Sequence, residues 1–169
     1  FRNDPPNVPV EQNHVGSYRR TVNIPADWTG RDIYLNIGAA VSNVYVWVNG
    51  KFVGYSEDSH LSASFDITKY VHTGENLIAL QIFRWCDGSY LEDQDLWRLS
   101  GISRDVELIA LPKARLTDMM ITPHLDAQYT DATLDVKMDF TSGVKSATVK
   151  LLDAAGATVA EQTATPRSG

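Results

Sequence analysis

Cysteine is almost missing from this sequence. The single Cys86 excludes an internal disulfide and leaves the redox compartment open. Positive charge is short as well, with 15 Lys and Arg against 21 Asp and Glu and a net charge of −6. There is no basic run, so the chain has neither the positive stripe that nucleic acid requires nor the Lys/Arg cluster that an anionic membrane attracts. No apolar stretch approaches the roughly 18 residues that span a bilayer as a helix. Catalytic signatures are equally scarce. His14, His60, His72 and His124 are scattered and match no zinc spacing. Gly-x-Ser-x-Gly and phosphate-cradling glycine loops are absent. Ser59-His60 is a pair of sequence neighbours, not a triad, and Cys86 reads as an inert thiol.

Helical periodicity is lacking too; the period that dominates is two. Tyr18, Val22 and Ile24 alternate with polar residues, as do Ile33, Leu35 and Ile37, and then Val44, Val46 and Val48. Asn49-Gly50 separates Val48 from a second apolar run at Lys51 to Tyr55. That dipeptide predicts a two-residue hairpin, because both central residues of a type I′ turn need positive φ. Trp47 and Phe52 flank the turn and read as sheet-packing or interface residues. Leu77 to Trp85 is a nearly unbroken apolar run and predicts a central strand; Ile102, Val106, Leu108 and Ala110 read as one further strand.

Short strands punctuated by turns predict an all-β fold, a jelly-roll β-sandwich. Leu111-Pro112 marks a boundary, since proline lacks the donor that a ladder needs. Residues 1–111 are expected to form one domain. Residues 112–169 hold about four more strands, roughly half of an immunoglobulin-like sandwich of about 100 residues. The chain opens on Phe1 and carries no signal-peptide pattern, so it reads as a piece of a longer protein.

The segment 88–101 interrupts the strands, and loops of that length are usually functional or disordered. Glu92, Asp93 and Asp95 fall within four residues, flanked by Tyr90, Trp97 and Arg98. Carboxylates accept hydroxyl hydrogen bonds and aromatic rings cover the apolar face of a pyranose, so a sugar site is one reading. A structural loop in which Arg84, Arg98 and Arg104 pair with the acids is the other. Asp93-Gln-Asp95 starts like a calcium loop but fails at Trp97 and Arg98.

The run Tyr90-Leu-Glu-Asp-Gln-Asp-Leu-Trp-Arg-Leu-Ser-Gly-Ile102, followed by Arg104-Asp105-Val106, resembles the N-terminal sugar-binding domain of bacterial β-galactosidases of glycoside hydrolase family 2. Val46 to Tyr55, Phe65-Asp66-Ile67, Gly74-Glu75-Asn76 and Asn3-Asp4-Pro5-Pro6 extend the resemblance over nearly all of residues 1–110; it is weaker beyond. The resemblance implies a jelly roll, then an immunoglobulin-like sandwich, then a catalytic barrel outside this chain that supplies both glutamates of a retaining mechanism.

No residue here would then be catalytic. Asp95 would bind the galactosyl 6-hydroxyl and share in holding a sodium ion, while Glu92, Asp93, Trp97 and Arg98 fix the loop. Magnesium would belong to the barrel. The implied partners are a galactoside, the barrel of the same polypeptide and further copies in a homo-oligomer. The resemblance points to bacteria without deciding between cytoplasm and periplasm. Cys86 and Ser103 depart from the family pattern, standing where a small hydroxyl residue and an aromatic are common. A free-standing carbohydrate-binding module, or an oligomer-assembly sandwich, is the competing expectation.

Overall fold

A computed structural model describes residues 4–92, 97 and 99–166. Contacts divide the chain into two compact units, Phe1–Leu111 and Pro112–Gly169. Among the described residues there are strands and two 3₁₀ turns but no α-helix, which bears out the all-β expectation.

The first unit opposes two antiparallel sheets. The four-stranded sheet runs in the order β1 (Val15–Ile24), β7 (Gly74–Phe83), β4 (Asn43–Val48), β5 (Lys51–Glu57). The three-stranded sheet runs β6 (Ala63–Asp66), β2 (Asp32–Ile37), β9 (Val106–Leu111). The alternation seen in the sequence becomes a burial pattern. Ile33, Leu35 and Ile37 of β2, Val44, Val46 and Val48 of β4, and Ile78, Leu80 and Ile82 of β7 point into one core with Ile24 and Ile67. β7 pairs with β1 on one side and β4 on the other, so the long apolar run does form an inner strand.

The hairpin forms where expected. Val48 pairs with Lys51, and the two residues between have φ of 50° at Asn49 and 77° at Gly50, the left-handed pair of a type I′ turn. Its base is stitched to the neighbouring strand. The Asn49 amide nitrogen donates to the Asn76 Oδ1 at 2.8 Å, and the Leu77 N–H donates to the Asn49 Oδ1 at 2.9 Å. Asn76 is buried to 1% exposure, yet its own amide donates to the carbonyls of His72 and Gly74, so the burial leaves no polar atom stranded.

One expectation needs correction. Ile102 and Val106 to Ala110 are not one strand. β8 (Gly101–Ile102) pairs with β3 (Ala40–Val41), whereas β9 pairs with β2. The chain turns between them at Ser103 to Asp105, where Ser103 donates to the Ala39 carbonyl and Asp105 accepts from the Gly38 N–H.

The second unit consists of two hairpins, β10 (Leu116–Leu125) with β11 (Ala132–Phe140), and β12 (Ala147–Leu152) with β13 (Thr158–Ala164). Leu134, Val136, Met138, Val149 and Leu151 line one open cleft between them.

Candidate functional site

The loop that carries the acidic run leaves β7 at Phe83 and returns at Gly101. Its first turn is built into the sandwich. Past the end of β7, the Arg84 N–H donates to the His14 carbonyl, and Trp85 exchanges two hydrogen bonds of 2.9 Å with the Asn13 side chain. Trp85 and Cys86 are both buried, at 9% and 5% exposure. A 3₁₀ turn, Asp87–Tyr90, follows; the Ser89 Oγ accepts from the Cys86 N–H at 3.1 Å. The Tyr90 hydroxyl donates to the Asn7 carbonyl at 2.7 Å.

Glu92 comes next, and both of its carboxylate oxygens are engaged. One accepts from the Ser59 N–H at 2.8 Å and the other from the Ser59 hydroxyl. Ser59 is buried, at 2% exposure. Glu92 is therefore a tie between the loop and the corner that follows β5. Trp97 behaves in the opposite way: its side chain is 88% exposed, beside Leu99 at 70%, with Leu91 at 85% near the loop's start. A small cleft of about 30 Å³ at the loop's base is lined by Ser59, His60, Arg84, Glu92, Trp97 and Leu99 among others. Asp93, Asp95 and Arg98 lie outside the described residues.

Arg84 and Arg104 have contacts of their own among the described residues. Arg84 stacks its guanidinium 5.1 Å over the Trp85 ring, and its buried Nε has no hydrogen-bond partner among the described residues. Arg104 donates to the His60 carbonyl at 2.9 Å. Arg104 sits on the turn between β8 and β9, and its bond to His60 ties that turn to the 58–60 corner.

A second group of ligand-type side chains, Glu57, Cys86 and Asp87, gathers behind the loop with ligand atoms within 4.8 Å of one another. Two of them have local partners. Glu57 accepts from the Tyr55 hydroxyl, and the Cys86 thiol faces the Ser42 carbonyl at 3.7 Å. Burial pushes the Cys86 thiol above its ordinary value of 9.0. Burial and the bond to Glu57 push the Tyr55 hydroxyl up as well. Trp47 and Phe52 pack as expected, 5.5 Å apart within a cluster that includes Tyr45, Tyr55 and Phe83 on the outer sheet face.

Ser59, Asn13 and the 58–60 corner were not legible as site residues. Each acts through a partner far along the chain, and no local spacing signals that.

A jelly roll with an acid- and aromatic-bearing loop at one rim has specific counterparts. Residues 2–112 match the family model described as glycosyl hydrolases family 2, sugar binding domain. The chain belongs to that family. A β-galactosidase of Priestia megaterium is 46% identical over 136 residues, which is 80% of this chain and 13% of that protein. A β-galactosidase of Vibrio vulnificus is 48% identical over 139 residues, again 80% and 13%.

Among solved structures, an FMN-binding β-glucuronidase from Facaelibacterium prausnitzii superposes with a TM-score of 0.77 at 26% identity, covering 90% of this chain and 25% of that one. A Bifidobacterium dentium β-glucuronidase gives 0.76 at 22% identity, covering 88% and 31%; at that identity the likeness concerns fold alone. This family 2 sugar-binding domain and its companion unit thus span about an eighth of the curated β-galactosidases they match.

Proposed function

We propose that this chain is the N-terminal part of a longer retaining β-galactosidase, and that its 88–101 loop lends substrate and cation contacts to a catalytic barrel encoded elsewhere in the same protein. The observation that carries this reading is the level of identity, 44–48%, to proteins named β-galactosidase across the jelly roll and the loop, whereas the β-glucuronidases among the solved structures share its fold at 22–26%. The second unit is the first half of an immunoglobulin-like sandwich whose remaining strands would cover the apolar cleft between its hairpins.

In this reading the loop has two parts with different duties. Glu92 secures the base. Asp95 has the other duty: its carboxylate accepts a hydrogen bond from the galactosyl 6-hydroxyl and offers a hard oxygen ligand to sodium. Glu92 is held by Ser59, and the resemblance assigns the hard-cation ligand of this loop to Asp95. Asp93 and Arg98 brace it. Oxygen donors from one carboxylate suit a sodium ion, with the remaining ligands supplied by the barrel; magnesium finds no assigned ligand here. Bound sodium would neutralise the carboxylate and present an electrophilic point to the sugar oxygen. Trp97 and Leu99, both exposed, await cover by the barrel or the sugar face. A charged side chain offered to an enclosed pocket is stable only with such partners.

The test is expression of the full-length protein and of residues 1–169 alone, assayed with chromogenic β-galactoside and β-glucuronide. The full-length protein is expected to cleave the galactoside, and the shorter chain neither. Turnover by residues 1–169, or preference for the glucuronide, would overturn the reading.

A further inference from the structure

Asn49-Gly50 is the only Asn-Gly pair in the sequence; every other asparagine precedes Asp, Val, His, Ile or Leu. Asn-Gly is also the dipeptide most open to spontaneous deamidation. In that reaction the backbone nitrogen of the following residue attacks the side-chain carbonyl carbon, and glycine has no Cβ to obstruct the approach. Both residues are exposed at the tip of the β4–β5 hairpin, within reach of water and hydroxide. The pair that a type I′ turn favours is thus the pair most liable to cyclise.

The fold opposes the reaction. The Asn49 Nδ2 donates to the Tyr70 carbonyl at 2.9 Å and to the Asn76 Oδ1 at 2.8 Å, and its Oδ1 accepts from the Leu77 N–H at 2.9 Å. The Asn49 N–H adds a bond to the Leu77 carbonyl at 2.8 Å. Ring closure must carry the Asn49 Cγ onto the Gly50 nitrogen, a swing that breaks the side-chain bonds. The receiving side does not yield either. Asn76 is 1% exposed; its Oδ1 also accepts from the His72 N–H at 3.0 Å, and its amide donates to the carbonyls of His72 and Gly74.

We propose that Asn49-Gly50 is a covalent modification site guarded by the docking of the hairpin on the 70–77 segment: deamidation proceeds only after the turn has come away, and it is one-way. The Gly50 nitrogen bonds to the Asn49 Cγ, the Cγ–Nδ2 bond breaks, and the departing nitrogen takes up the Gly50 amide proton and leaves as ammonia. Water then opens the succinimide at either carbonyl, giving aspartate or isoaspartate at position 49 and one further negative charge. Neither product restores the dock. Aspartate keeps an acceptor for the Leu77 N–H, but it has no N–H for the Tyr70 carbonyl and sets a carboxylate against the Asn76 Oδ1, another acceptor. Isoaspartate routes the backbone through Cβ, which lengthens the turn that pairs Val48 with Lys51. The Trp47–Phe52 contact beside the turn loosens with it.

The experiment holds the full-length protein in mildly alkaline buffer, with and without denaturing urea. The peptide around position 49 is followed by mass spectrometry, with the isoaspartyl form resolved by its separate elution. Amide exchange of the 70–77 segment on the native protein gives the fraction of time that the dock is open. The native deamidation rate divided by the rate in urea should not exceed that fraction, and should be at least about tenfold below one. Asn49→Asp is expected to speed exchange of 70–77 at least about fivefold, the effect of losing two ordinary hydrogen bonds. The deamidated fraction of the aged parent protein, separated by its extra charge, should show the same quickening.

A native rate above the open fraction would mean that the docked turn itself reacts, and would overturn the proposal. So would a deamidated fraction whose 70–77 amides exchange as slowly as the parent's. None of these readouts depends on which sugar the protein cleaves.

Discussion

Asn13 and Trp85 exchange a pair of hydrogen bonds across 72 residues of sequence: the Asn13 amide donates to the Trp85 carbonyl and the Trp85 N–H donates to the Asn13 Oδ1, each at 2.9 Å. A side chain thus imitates the rung that a longer β1 strand would have supplied. It extends the β1–β7 ladder past Phe83, the last paired residue of β7, to the foot of the acidic loop.

Removal of that rung is expected to be costly. Asn13→Ala removes two hydrogen bonds from the part-buried backbone of Trp85, at about 1–3 kcal/mol. Urea unfolding of the first unit should show this loss with an unchanged slope, and amides 84–90 should exchange faster than those of β2. An unchanged midpoint would mean that water replaces the side chain without penalty.

Gly38 makes a different demand. A Cβ there would sit 2.9 Å from the Arg104 Cβ and 3.0 Å from the Asp105 carbonyl oxygen, while its own N–H donates to that carbonyl at 2.9 Å. Backbone cannot yield as a flexible side-chain tip does, so Gly38→Ala is expected to push the 103–105 turn outward and cost about 1–3 kcal/mol, in the range for overpacking. Because Arg104 also holds the His60 carbonyl, the same variant should loosen the 58–60 corner. Thermal unfolding checks the first effect and amide exchange at 58–60 the second.

High pH should destabilise the first unit. Burial raises the Cys86 thiol above 9.0 and the Tyr55 hydroxyl above 10.0. In the unfolded chain both groups ionise near those ordinary values; in the folded chain they keep their protons. The unfolded state then binds fewer protons, so stability is complete below about pH 9 and declines as pH rises beyond it. Denaturant midpoints measured from pH 7 to 10.5 should be flat and then fall. Cys86→Ser should blunt the first part of the decline. A thiol reagent should modify native Cys86 slowly and the unfolded chain quickly.

What could be read from the sequence was local. The Asn49-Gly50 turn was legible because its conformation is dictated by two adjacent residues. The inward faces of β2, β4 and β7 were legible because period-two alternation survives any sheet order. The split of Ile102 from Val106 was not, since it depends on which neighbour each short strand finds: β3 for one and β2 for the other. The site shows the same divide. The acidic, aromatic run announced itself by composition and by its likeness to a family. Its anchors did not. Ser59 lies 33 residues from Glu92 and Asn13 lies 72 from Trp85, and nothing in the spacing of a serine or an asparagine reveals a partner brought near by sheet order.

The central claim is that Asp95 is lent to a site completed by the rest of a β-galactosidase. Its most direct test is Asp95→Ala in the full-length protein, with kcat/KM for a galactoside followed across sodium concentrations. A hydrogen bond to a charged group contributes roughly 1.5–3 kcal/mol, so kcat/KM should fall about 10–150-fold and the sodium response should flatten. An Asp95→Ala protein with the parent's kcat/KM and the parent's sodium curve would contradict the account.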